Sequence, residues 1–398
     1  MENISLFASA IMFAIFFIDL LIKRSWSLTF ALLSNPYVAG LIMYFTMFID
    51  SFINKNRKFY LSKATLLCYT IILCTILASY FSKSITLRTA IQLTQFCLIL
   101  LGVCFVIFSQ SNYLSNASDK IKYLLMSCVL ITTIKLCAVI LGIDQFSMNG
   151  QNEDSFLIVI FGFILGFVYF ERVNAKSTAF YAFIFLGLIL YESRAAQAVA
   201  FMSLFGFLIA AMSKFKLARL IIFFAFCFLL LIIVISNVES LQFFLQTTTD
   251  LERNHSNIER VSMYLFTFKY LISGADSFGL GNLGLAMEEM RIAGIISGDY
   301  PHPHSSYLRF ALELGWGGLL GLVFFYVALI SKSLKIYKKA PKIGIVLFIA
   351  TTSLIIFSFV DCIFFSFFRA SASILAIALI IAAASPNLRL SQSQNLKI

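Results

Sequence analysis

Apolar runs long enough to cross a membrane recur along almost the whole chain, and they constrain its fold more than any other feature. A helix of about 20 apolar residues spans the hydrocarbon core of a bilayer. Hydrophobic residues make up 60% of the 398-residue sequence and charged residues only 12%, whereas soluble domains carry about 25% charged residues. This composition excludes a soluble enzyme, a disordered chain and a fibrous repeat. It predicts an all-α polytopic membrane protein.

The runs predict about 12 transmembrane helices. They lie near residues 4–22, 27–52, 64–81, 89–109, 121–141, 155–171, 177–193, 195–213, 220–237, 306–330, 343–362 and 366–385. An even count places both termini on one side, and the connections on that side hold 18 of the 30 Lys and Arg residues. Because cytoplasmic connections are enriched in these residues, we expect both termini in the cytoplasm.

The net charge of +11 does not indicate a nucleic-acid partner, since Lys and Arg occur in short clusters between apolar runs. The eight cysteines contain no C-x-x-C pair, which disfavours a disulfide framework and a zinc site. The sequence also lacks an Asp-x-Asp motif, so a metal-bound sugar nucleotide is disfavoured. We therefore expect no metal and no cofactor.

One connection differs from the others because it is long and polar. It divides the chain into transmembrane helices 1–9 in residues 1–237, an extracytoplasmic loop in 238–305, helices 10–12 in 306–385 and a cytoplasmic tail in 386–398. The loop has eight acidic and four basic residues and contains all three histidines. Long loops in compact proteins are usually functional unless they are disordered.

The loop is predicted to contain short amphipathic helices. The clearest carries apolar residues at helical spacing, namely Ile258, Val261, Leu265, Phe268 and Ile272, and we expect it to lie on the membrane surface. A glycine-rich turn over residues 274–284 follows. This turn does not follow a strand, so it does not fit a dinucleotide site.

Two arginines are candidates for anion binding. Arg194 interrupts an apolar stretch at the predicted outer surface and is either a snorkelling residue in a turn or a guanidinium that binds an anion. Arg260 lies beside Glu259 on the amphipathic helix and is either half of a surface ion pair or a second anion-binding group.

A histidine cluster is the candidate for proton transfer. His302 and His304 lie in the segment Tyr300-Pro-His-Pro-His-Ser-Ser-Tyr307-Leu-Arg309, directly before an apolar helix. Proline stiffens the backbone there, and an imidazole with an ordinary pKa exchanges protons near neutral pH. The alternative is a pair of interfacial histidines that only hydrogen-bond locally.

Three segments in this order resemble the O-antigen polymerase and O-antigen ligase superfamily of bacterial envelope enzymes. They are Ser193-Arg-Ala-Ala196 at a helix start, Arg260 with the Phe278-Gly-Leu-Gly281 turn, and His304-Ser-Ser-Tyr-Leu308 followed by Glu313-Leu-Gly-Trp-Gly-Gly318. The last resembles the family pattern His-Asn-x-Tyr-Leu…Glu-x-Gly, with Ser305 in the place of the usual Asn.

The resemblance implies a metal-independent glycosyltransferase in the bacterial inner membrane, with its active site on the periplasmic face. Its donor would be an oligosaccharide on undecaprenyl diphosphate, and its partners a glycan acceptor and membrane lipid. Whether a chain-length regulator also binds stays open. His304 would be the general base, and Arg194 and Arg260 would bind the diphosphate. The residues expected to contact substrate are Tyr300, His302, Tyr307 and Arg309.

Three functions remain open at this point. A polymerase extends lipid-linked repeat units, whereas a ligase moves the finished glycan to lipid A–core. The polymerase is favoured because a phosphorylated acceptor core would suit a more basic loop. The third function, a polysaccharide transporter or flippase, would use membrane-depth charges, for which Asp19, Lys135, Asp361 and Arg369 are the candidates. No internal repeat of the kind that many transporters carry is visible in the sequence.

Overall fold

The computed structural model describes residues 77, 87–103, 117–140, 155–170, 175–190, 194–211, 255–296, 305–365 and 367–384, and none of these lies in a strand. The helices are α1 Leu87–Val103, α2 Ala117–Ile140, α3 Leu165–Tyr169, α4 Ala175–Leu190, α5 Arg194–Ala211, α6 His255–Ile272, α7 Leu283–Ile292, α8 Ser306–Tyr337, α9 Pro341–Val360 and α10 Phe367–Ala383. A π-helical segment, Ile158–Ile164, precedes α3, and a 3₁₀ turn, Ile363–Phe365, precedes α10. The all-α prediction is confirmed for the described part of the chain.

Eight of the predicted transmembrane helices coincide with described helices to within several residues. The other four, near 4–22, 27–52, 64–81 and 220–237, lie outside the described residues apart from residue 77. Within the described ranges α8 and α9 are long and apolar enough to cross a membrane. The count of 12 therefore stays a prediction.

Helix α8 runs to Tyr337 rather than to the predicted residue 330. Lys332 and Lys335 continue it because lysine is a good helix former. Pro341 then begins α9 at a position where its missing N–H costs nothing. Part of the predicted connection between residues 330 and 343 thus belongs to the last turns of α8.

The first of two compact units takes in described residues of 94–207 and 323–384. Its centre is the segment from Ser155 to Phe167, in which every residue is buried. Helices α2, α4, α9 and α10 pack against this segment. A helix that is apolar on all sides belongs in an interior, which explains why its sequence shows no polar face.

Small residues allow α2 and α4 to approach closely. A Cβ atom on Gly187 of α4 would lie 2.6 Å from Cγ2 of Thr132 on α2. A Cβ atom on Gly162 would likewise lie 3.1 Å from Cγ2 of Ile184. Glycine at such contacts lets backbones pack together, as is typical of membrane helices.

Two of the charges that suggested a transporter form an ion pair. The carboxylate of Asp361, directly after α9, accepts a hydrogen bond from the guanidinium of Arg369 on α10. Both side chains are largely buried, and a buried charge is tolerated when it is paired. The pair thus has a structural explanation, while Asp19 and the side chain of Lys135 lie outside the described residues.

The second compact unit includes described residues 255–296 and 305–322. Its core is formed by Met263 of α6, Phe278 of the glycine-rich turn, Leu283, Ala286, Met287 and Met290 of α7, Ile296, and Leu308 and Leu312 of α8. The apolar side chains of the predicted polar loop therefore do not form a core by themselves. They share their core with the first turns of α8.

The amphipathic helix predicted within the loop is confirmed as α6. Its face with Met263, Thr267 and Leu271 is buried. Four apolar residues of the predicted pattern lie on the opposite face, and we call them the α6 stripe: Val261, Leu265, Phe268 and Ile272. The side chain of the fifth, Ile258, lies outside the described residues. The four stripe side chains are 56–64% exposed, so the described part of the protein leaves the stripe uncovered.

Candidate active site

The glycine-rich turn binds to a kink in α8. Gly315 has φ 65° and ψ −154°, a conformation open essentially only to glycine, and it interrupts the helix. Such a break exposes carbonyl groups of the preceding turn, and the Leu312 carbonyl accepts the Phe278 N–H at 2.9 Å. Trp316 Nε1 donates to the Leu271 carbonyl at 3.1 Å. The second and third family-like segments are thus joined by hydrogen bonds.

Glu313 lies at the centre of this junction and is fully buried. Its Oε1 accepts a hydrogen bond from Arg309 Nε at 2.7 Å, and its Oε2 accepts the Gly281 N–H at 2.7 Å. Gly281 has φ 84°, which favours glycine. One carboxylate therefore neutralises a buried guanidinium and fixes the backbone of the turn.

We expect Glu313→Gln to destabilise the protein. The carboxylate offers two acceptors to two donors, whereas an amide offers one acceptor and removes the negative charge that faces the Arg309 guanidinium. Breaking a buried ion pair in this way costs about 3–5 kcal/mol. Thermal unfolding of the detergent-solubilised protein measures the loss as a lower Tm.

Glu288→Gln is the matched control, because Glu288 forms an exposed ion pair with Arg291 at 2.6 Å on α7. Exposed pairs contribute about 0–1 kcal/mol, so the Tm should change little. Equal Tm values for the two variants would show that Glu313 does not hold the junction together.

Ser305 caps the start of α8. Its Oγ accepts the Leu308 N–H at 3.4 Å, and its carbonyl accepts the Arg309 N–H at 3.1 Å. These are the two bonds expected of an N-cap serine. The same Oγ lies 2.7 Å from the hydroxyl oxygen of Tyr264 on α6. The start of α8 is therefore attached to α6 by a hydrogen bond between two side chains.

Tyr270 supports the glycine-rich turn from α6. Its hydroxyl donates to the Asp276 carbonyl at 2.6 Å, and its ring stacks on Phe278 with centroids 4.9 Å apart. Burial and then the carboxylates of Glu289 and Asp276 raise the pKa of Tyr270. The phenol therefore stays protonated and keeps donating at neutral pH.

The predicted site residues are described to different extents. Tyr300, His302 and His304 lie outside the described residues. Arg194 is the first residue of α5, as predicted for a helix start, and Arg260 lies in the second turn of α6. The side chains of these two arginines are outside the description, so their predicted roles stay predictions.

The remaining two predicted contact residues lie in the first turn of α8. Tyr307 is half-buried, and Arg309 is buried in its ion pair with Glu313. Arg309 therefore has a structural partner within the protein, whether or not it also contacts substrate.

Two residues with clear structural roles were not singled out by the sequence. Glu313 appeared only as part of a family-like motif, although an acidic residue inside an apolar helix is costly without a partner and could have signalled one. Tyr264 gave no such signal. Its partner, Ser305, is 41 residues away along the chain.

No curated protein matches the chain. Residues 179–326 match the protein family described as O-antigen ligase. The matched segment contains Arg194, Arg260 and His304, and also the junction of Gly281 with Glu313. This match supports the resemblance of the segment to the O-antigen polymerase and ligase superfamily.

Proposed function

We propose that the protein is a metal-independent glycosyltransferase that polymerises undecaprenyl-diphosphate-linked repeat units at the periplasmic face of the bacterial inner membrane. One observation carries the proposal: the family match spans Arg194, Arg260 and His304. The structure supports it further, because the glycine-rich turn and the α8 kink, which belong to the second and third family-like segments, are hydrogen-bonded to each other.

The proposed reaction needs one base and a stabilised leaving group. The acceptor hydroxyl attacks the anomeric carbon of the donor, and His304 takes the hydroxyl proton. The bond from the anomeric carbon to the diphosphate oxygen breaks, and undecaprenyl diphosphate leaves with the electron pair. Arg194 and Arg260 stabilise the negative charge that develops there, since a guanidinium binds phosphate oxygens in pairs and stays protonated.

The α6 stripe supports a site at the membrane surface. The C-terminal end of α6 is bonded to Trp316, which lies within the apolar helix α8. The four stripe residues are exposed in the structure, and an amphipathic helix with such a face lies in the plane of the membrane interface. In this arrangement α6, which carries Arg260, lies at the depth of lipid headgroups, where the diphosphate of the donor would be.

Ligation to lipid A–core is the second candidate function, and it has the same chemistry with a different acceptor. The description of the matched family favours it. The charge of the loop favours the polymerase, because residues 238–305 carry eight acids and four bases and would face a phosphorylated core in a ligase.

Deletion of the gene separates these two functions. If the protein is the polymerase, the cells should carry core capped with a single repeat unit. If it is the ligase, they should carry bare core and accumulate lipid-linked glycan. Electrophoresis of lipopolysaccharide and extraction of the lipid-linked pool distinguish the two. An unchanged lipopolysaccharide ladder contradicts both.

Transport of a lipid-linked glycan is the alternative from another class. Purified protein in detergent, mixed with lipid-linked repeat units, has no compartments between which to move a substrate. Chain elongation or transfer under these conditions supports the enzyme. If transfer is absent in detergent and the glycan is translocated after the protein is reconstituted into liposomes, the result would support the transporter instead.

A further inference from the structure

We infer that Tyr264 is a positioning residue for the transfer site, acting through Ser305 on the adjacent His304. The inference rests on the proposed function, because it assumes that His304 is the base. Tyr264 itself is not assigned a contact with substrate. Its role follows from the hydrogen bond of 2.7 Å between its hydroxyl oxygen and Ser305 Oγ.

Ser305 anchors the start of α8. Ser305 is almost fully buried, and its Oγ and carbonyl both bond to the first turn of the helix. An N-cap residue has non-helical backbone angles and therefore sets the direction in which the preceding chain leaves the helix. A contact that fixes the Ser305 side chain therefore also restrains the Ser305 backbone, to which His304 is covalently attached.

Helix α6 carries both Arg260 and Tyr264. Arg260 and Tyr264 are four residues apart on this helix, and positions at that spacing lie on the same face, one turn apart. The Tyr264 hydroxyl reaches the first residues of α8 from this face. One hydrogen bond thus connects the helix that carries a proposed diphosphate ligand to the residue that follows the proposed base.

Other contacts hold the rest of the interface between α6 and the first part of α8. Trp316 binds the Leu271 carbonyl at the far end of α6, and Leu308 and Leu312 share a core with Met263. The ring of Tyr264 packs on the same core. Phenylalanine at 264 keeps this packing and removes only the hydroxyl, so the Tyr264→Phe protein should fold and the change should be local.

The test is a double-mutant cycle with Tyr264→Phe, Ser305→Ala and the double variant, assayed as kcat and KM for transfer from a purified lipid-linked oligosaccharide. We expect Tyr264→Phe to lower kcat about tenfold or more, because a displacement near 1 Å at a reacting group costs up to about 100-fold. The KM should change less than about twofold, since the proposed diphosphate ligands are retained. The double variant should be no slower than Ser305→Ala alone, because both changes remove the same bond.

Tyr326→Phe is the matched control. It removes a tyrosine hydroxyl that bonds to the Ser358 hydroxyl, with the two oxygens 2.5 Å apart, rather than to the start of α8. It should keep kcat near the native value. Equal losses for both tyrosine variants, multiplied losses in the double variant, or a native kcat for Tyr264→Phe would overturn the inference. Activity in a His304→Ala variant would instead refute the proposed function on which the inference rests.

Discussion

Replacement of His304 by Ala should abolish glycan transfer while the protein still inserts into the membrane and accumulates normally. A positioned general base contributes about 10²–10⁴-fold to the rate, and no other histidine of this chain follows the family-like pattern. Initial rates with purified protein measure the loss, and immunoblots of isolated membranes measure accumulation. A His304→Ala strain with normal glycan length and yield would show that another group removes the proton.

His302→Ala is the matched control, because the two histidines are two residues apart and each follows a proline. We expect a partial loss at most. The pH profile gives an independent measurement: kcat/KM of the native protein should fall at acid pH, because a protonated imidazole cannot accept a proton. His302→Ala should retain that profile.

Arg194→Ala and Arg260→Ala should each remove nearly all transfer activity. The bond to the diphosphate breaks with negative charge on the leaving oxygen, and loss of one preorganised donor to a developing charge costs about 10²–10³ in kcat. Arg194→Lys should restore little, because lysine keeps the charge but loses the paired contact of the guanidinium with two phosphate oxygens. Transfer rates at saturating donor measure these losses.

Arg291→Ala is the control for the arginine variants, since Arg291 lies in the same predicted loop and forms an exposed ion pair with Glu288. It should transfer glycan at close to the native rate. Full activity of Arg194→Lys would mean that a point charge suffices. Full activity of both alanine variants would remove the diphosphate assignment altogether.

Helix α6 could be predicted from the sequence because its apolar residues repeat at helical spacing over many positions. The short helix α7 was harder to place. Only ten residues long, it follows directly on the glycine-rich turn, and its four buried residues are recognisable as one face only beside α6 and α8. Periodicity identifies long helices better than short ones.

Residues of the candidate site could be predicted where the residue type alone gives a signal. They could not be predicted where two residues far apart in the sequence come into contact. Arg194 at a helix start was recognised from a charge that interrupts an apolar run. The bond from Gly281 to Glu313 joins residues 32 positions apart. Glu313 lies two residues before the kink at Gly315, and no local pattern reveals which backbone N–H a distant carboxylate will accept.

The shared core of the second unit has a consequence for how this region can be handled as a reagent. Residues 238–305 produced as a separate fragment would lack Leu308 and Leu312, the two α8 members of that core. The fragment would also expose the α6 stripe to water without any lipid to receive it. A secreted version of the segment should therefore aggregate, and antibodies raised against it would not recognise the native protein.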